Sequence, residues 1–100
     1  MSASARPDGN RLALTGRVTA DNAHTLRNSG EAWLASLSAG ARATVDLAAV
    51  TSASSVLLSL LLCLYRRADQ QQVTLTLEHV SDELAELSRL NGVSRWLTGH

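Results

Sequence analysis

The segment Arg11-Leu12-Ala13-Leu14-Thr15-Gly16-Arg17-Val18 alternates along its whole length. In an extended chain Leu12, Leu14, Gly16 and Val18 fall on one side, and Arg11, Ala13, Thr15 and Arg17 on the other. Val73, Leu75 and Leu77 repeat the pattern against Thr74, Thr76 and Glu78, and a strand over Ala43 to Leu47 sets Ala43, Val45 and Leu47 against Thr44 and Asp46. Strands covered on both faces, as in a doubly wound nucleotide-binding sheet, read as continuous apolar runs. These strands keep a polar side, so the helices of the fold are expected on one face only.

Working outward, Pro7-Asp8-Gly9-Asn10 reads as a turn, because Pro presets one φ and Gly or Asn accepts a positive one. It joins a weak strand around Ala3 to Arg6 to the alternating one, giving an N-terminal hairpin. Asp21 or Asn22 can cap a first helix, along which Leu26, Gly30, Trp33 and Leu37 recur at helical spacing toward a stop near Gly40. Ser52, Ser54 or Ser55 can cap a second helix that ends around Asp69 and the Gln70 to Gln72 run. Its apolar stretch Val56 to Leu64, interrupted only by Ser59, is well short of the roughly 20 residues that span a bilayer. Ser81 caps a third helix, with Asp82, Glu83 and Glu86 toward its positive end and Leu84, Leu87 and Leu90 inward. Asn91-Gly92 is its expected stop, and Val93 to Leu97 a further turn. The order is ββαβαβα: an α/β fold with a mixed sheet, an N-terminal hairpin and parallel βαβ units whose crossovers are right-handed.

Composition narrows the function. A chain of 100 residues, 45% apolar and 18% charged, fits one domain spanning residues 1–100. Nine arginines and no lysine balance nine acidic residues, so no global field gathers nucleic acid or anionic membrane, and any partner is held by a local surface. The single Cys63 excludes a disulfide framework within the chain. The lone Met1 with its Arg6-Pro7-Asp8 opening speaks against a cleavable signal peptide, so a cytoplasmic location is expected. There is no Gly-rich phosphate loop, and His24, His79, His100 and Cys63 show no metal-ligand spacing, so no cofactor or metal is expected. No sequence neighbour activates Ser55, and Asp46 reads as an acceptor of backbone N–H bonds rather than a general base, so no catalytic residue is expected. Trp33 reads as core; Trp96 is either a lid over the last helix or a contact.

The second helix does more than pack. At about 100° per residue, Leu57, Leu58, Leu61, Leu64 and Ala68 form the core stripe, while Ser55, Ser59, Leu62 and Arg66 lie opposite at i, i+4, i+7 and i+11. The second stripe is either a docking surface or, for Leu62, a place covered by a neighbouring helix. Ser54 and Ser55 also serve as caps, worth about 1 kcal/mol. Arg66 and Arg67 next to Tyr65 read as a solvated helix end, or as partners for acidic groups on another protein.

The strand Leu12 to Val18, the strand Val45-Asp46-Leu47, the Val50 to Ser55 loop and the Leu-rich helix resemble a STAS domain over nearly the whole chain. Within that family the resemblance is to the MlaB-type domains, small cytoplasmic subunits of the Mla-type phospholipid ABC transporters of Gram-negative bacteria. It implies a non-catalytic accessory subunit that binds and regulates the transporter ATPase, an MlaF-like protein, in a complex with permease and lipid-binding subunits. Its role would be maintaining outer-membrane lipid asymmetry, peripheral to the inner membrane, with no nucleic acid and no insertion into the bilayer. The binding residues implied are Ser54, Ser55, Ser59, Leu62 and Arg66.

STAS domains carry an Asp, then Ser or Thr, then small residues at the start of this helix. Here Ser54 occupies the Asp position, Ser55 the Ser/Thr position, and Val56 with Leu57 replace the small pair. In the anti-sigma factor antagonists of the family the matching hydroxyl is phosphorylated, which makes Ser55 the regulatory phosphosite position of an alternative role, a phospho-switch that binds a regulatory kinase. The absent Asp and the bulk of Val56 argue against that chemistry.

Overall fold

The computed structural model describes residues 3–51 and 53–90. Its elements are β1 (Ala3–Asp8), β2 (Arg11–Gly16), α1 (Ala20–Ala35), β3 (Arg42–Val50), α2 (Ser55–Gln70), β4 (Thr74–Glu78) and α3 (Asp82–Leu90), the ββαβαβα succession expected. Ser52, the Asn91-Gly92 stop, the turn over 93–97, Trp96 and His100 lie outside the described residues.

Gly9, at φ +61°, and Asn10 close the β1–β2 hairpin, a backbone state open to glycine without strain. β2 pairs with β3 and β3 with β4 in parallel, so the sheet runs β1-β2-β3-β4. One face is core: Leu12, Leu14, Ala43, Val45, Leu47 and Leu75 are buried beneath α1 and α2. The other is polar, with Ser4 hydrogen-bonded to Thr15 and Thr44 to Thr76 across strands. On it Asp46 stands in register with Glu78, a like-charge pair that would repel. Arg11, one diagonal step away on β2, ion-pairs with both. Past Asp46 the ladder slips, Ala13 pairing with Asp46 but Thr15 with Ala49, so β3 carries an extra residue. The Asp46 carboxylate accepts the Ala48 N–H there at 2.9 Å, in the backbone role expected of it but within a strand.

The helix ends correct three sequence expectations. Thr19, rather than Asp21 or Asn22, is the N-cap of α1; the Asn22 side chain instead reaches back to accept the Thr19 N–H at 2.8 Å. α1 stops at Ala35 rather than near Gly40, and Leu34 is buried where Leu37 was expected, Leu37 being half-exposed. Gly40, at φ +86°, turns the chain into β3 and donates its N–H to the Gln72 carbonyl at 2.7 Å. α2 ends in a Schellman motif: Val73 N–H reaches the Ala68 carbonyl (2.8 Å) and Gln72 N–H the Asp69 carbonyl (3.1 Å). That places Gln72 at φ +59°, where glycine is usual.

Trp33 is buried, as expected, and its Nε1–H donates to the Gly9 carbonyl at 2.9 Å, tying α1 to the hairpin turn. α1 and α2 pack side by side on the sheet, and α3 lies against α2. Among the described residues no helix is long and apolar enough to cross a membrane.

Candidate functional site

β3 delivers the chain to the N-terminus of α2, where the Thr51 N–H is fixed to the Gly16 carbonyl at 3.0 Å. Ser54 takes the extended N-cap conformation (φ −157°, ψ 164°) and its hydroxyl accepts the Leu57 N–H at 3.1 Å. Of the three cap candidates, then, Ser54 carries the bond, and its hydroxyl is committed to the fold. Ser55, the first helical residue, and Ser59 one turn on are exposed.

The core stripe of α2 is as expected but wider, since Leu60 and Tyr65 are buried with it. Burial pushes the Tyr65 phenol up to about 12, keeping it neutral at physiological pH. The opposite stripe is split. Ser55 and Ser59 line a groove of about 410 Å³ whose walls, among the described residues, are α1 and α2. Arg66 lines a second recess further along, of about 290 Å³. Leu62 lines neither; it is half-buried and packs against the core. The wall that faces α1 is Val56, Leu60, Cys63 and Arg67, the same i, i+4, i+7, i+11 spacing begun one residue later. One residue is about 100° of helix, enough to move a stripe from the solvent face to a flank.

The α1 wall escaped the sequence reading. Ala20, His24, Arg27 and Glu31 have that same spacing and line the two recesses in turn. The signal was present, but only the position of α1 beside α2 gives it meaning. His24 shares the groove with Ser55 and Ser59, a neighbour that spacing did not predict for Ser55. No hydrogen bond joins them; His24 Nε2 lies instead 3.2 Å from Asn28 Nδ2, one turn along α1. A nucleophile is activated by a base within hydrogen-bond reach, and among the described residues of the groove no hydroxyl or thiol is hydrogen-bonded to His24. Among the described residues no group of three or more His, Cys, Asp or Glu is placed to hold a metal ion. What the arrangement offers is contact surface: an apolar floor with small hydroxyls at its lip and guanidinium groups at its far end.

The family model described as Mlab, STAS domain, matches residues 1–99. The chain belongs to the MlaB-type STAS family. Among solved structures, this STAS domain is similar to the anti-sigma factor antagonist SpoIIAA in its unphosphorylated form. The TM-score is 0.73 at 10% identity, over 97% of this chain and 86% of that one. It is also similar to an anti-sigma-factor antagonist (STAS) domain protein from Planctomyces limnophilus, with a TM-score of 0.69 at 13% identity, over 96% of this chain and 86% of that one. At such identities the likeness is one of fold. No curated protein is matched by the sequence. STAS domains act through protein–protein contacts and are in general non-catalytic regulatory scaffolds, which agrees with a site made of surface rather than of paired reactive groups.

Proposed function

We propose that this chain, acting as one STAS domain, is a non-catalytic accessory subunit of a phospholipid ABC transporter. It docks on the transporter ATPase from the cytoplasmic side of the inner membrane, stabilises the assembly and tunes ATP turnover. The observation that carries this reading is the open α2 N-terminus. Ser54 closes the helix, which leaves Ser55 and Ser59 presenting small hydroxyls at the lip of an apolar groove. A partner that sits there displaces water from an apolar floor and desolvates few strong polar groups. The MlaB-type family match supports an ATPase as that partner.

The test is co-purification of the tagged protein from its native cells, followed by Ser59→Arg. An ATPase, permease and lipid-binding protein should copurify with the native chain and be lost from the variant at unchanged melting temperature. The alternative, a phospho-switch held by a regulatory kinase, draws on the exposure of Ser55 outside the cap bond. Intact-mass measurement of the native protein separates the two. We expect no added phosphate; a phosphorylated fraction at Ser55 with a copurifying kinase would overturn the transporter reading.

A further inference from the structure

Building on the docking role above, we infer that the second recess between α1 and α2 receives an acidic segment of the partner, one that carries an apolar side chain beside its carboxylates. Three guanidinium groups line that recess, Arg27 from α1 and Arg66 and Arg67 from α2, against one carboxylate, Glu31. Glu31 is taken up by Arg27, four residues before it, at 3.5 Å. Arg66 and Arg67 form no ion pair with any described residue. Helix-end compensation accounts for Arg67, which lies in the last turn of α2. It does not account for Arg66, which opens on the same recess while Arg27 is already matched by Glu31, so the recess keeps a net excess of positive charge.

In a chain of formal net charge zero this excess is a local arrangement and not a by-product of composition. Like charges sharing a recess repel one another in the free protein, and an entering carboxylate relieves that repulsion. Arg27 and Cys63 line the recess and the apolar groove alike, so the two form one continuous channel. Its apolar end, at Ala23, Val56 and Leu60, calls for an apolar side chain beside the occupant's carboxylates. Arg66 also lies on the α2 face that carries Ser55 and Ser59, so a partner seated at the helix N-terminus reaches the recess without a second binding event.

The test titrates the full chain against the purified ATPase at low and high ionic strength and uses the single Cys63 as a footprint. Arg67→Glu should weaken the complex about tenfold or more, and the neutral Arg67→Gln less, with the loss largest at low salt. Arg42→Glu, the same charge change at an exposed position of β3, should leave affinity within about twofold. N-ethylmaleimide should label Cys63 in the free chain and be blocked in the complex. If the complex forms, Arg67→Glu behaves as Arg42→Glu and Cys63 stays reactive, the recess is not the contact and this inference falls while the docking role stands. No complex at any ionic strength overturns both. Arg67-dependent protection of Cys63 by anionic phospholipid vesicles, with none by the ATPase, would make the occupant a lipid headgroup and overturn the inference as well.

Discussion

Gly30 of α1 and Leu64 of α2 meet so closely that a β-carbon added at Gly30 would stand 2.7 Å from Leu64 Cδ2 and 3.2 Å from Cδ1. Both residues are buried, so this contact sets how near the two helices lie and therefore the shape of the channel between them.

Gly30→Ala gains about 1 kcal/mol of helix propensity but drives a methyl into a fully buried leucine, an overpacking cost of about 1–3 kcal/mol. We expect a net loss of about 1 kcal/mol in urea unfolding. Combining it with Leu64→Ala should cost less than the sum of the two single changes; strict additivity would show that the contact does not set the helix spacing.

Leu61 is fully buried and Leu62 half-buried on an adjacent flank. Leu61→Glu should unfold the domain, since a buried carboxylate costs several kcal/mol, roughly the whole stability of a small domain. Leu62→Glu should fold with a melting temperature lowered by several degrees, because part of its side chain leaves the core surface, and should keep most of its affinity for the partner, since Leu62 lines neither recess. Circular dichroism melts read the first effect and the titration above the second.

The two neighbouring serines separate stability from docking. Ser54→Ala removes the bond to the Leu57 N–H and should cost about 1 kcal/mol. Ser55→Ala should cost a few tenths at most. Ser55→Arg sets a cation against the positive end of α2 and a long chain at the groove lip, and should weaken binding far more than folding. A Ser55→Arg variant that binds normally would remove this helix end from the interface.

Acid stability should depend on Asp46. The Ala48 N–H first, then the His79 ring, hold its carboxyl below the usual carboxylate range; burial opposes them with a smaller effect, and Arg11 adds a weaker pull in their direction. A folded pKa below the unfolded value of about 3.9 gives stability that is full above that value and is lost as pH falls through the folded one. Asp46→Asn should therefore be less stable than the parent near neutral pH and lose less on acidification below about pH 4. Parallel acid-side slopes in the two proteins would show that another group dominates.

Gln72 holds a left-handed conformation that a side chain disfavours by about 1–2 kcal/mol. Gln72→Gly should raise stability by about 0.5–1 kcal/mol, the greater freedom of glycine in the unfolded chain offsetting part of the gain. An unchanged or lower urea midpoint would mean that the Gln72 side chain contributes packing of its own.

The alternation of Leu12, Leu14 and Val18 made the sheet legible, because a period of two leaves no ambiguity about which face is buried. The Leu57, Leu61, Leu64 and Ala68 stripe made α2 legible for the same reason. Helix ends were less so, since Thr19, Asp21 and Asn22 can all accept a backbone N–H and only the entry angle of the chain decides among them. The site was half legible. Ser55 and Ser59 reach it, but Leu62 turns toward the core. The wall formed by His24, Arg27 and Glu31 belongs to another helix, and no one-dimensional spacing says which stripes of two helices face each other.

The strand order β1-β2-β3-β4 follows the order of synthesis, and among the described residues no later strand inserts between earlier ones. Each βα unit emerging from a ribosome can therefore add to a sheet already begun by the hairpin, and the growing edge is always the newest strand. This topology permits vectorial assembly, in which each strand closes only the loop just made. Val73, just ahead of β4, and Leu75 within it are buried in the core beside α2, so the α2 wall of the proposed docking groove gains its full support only once β4 has joined the sheet.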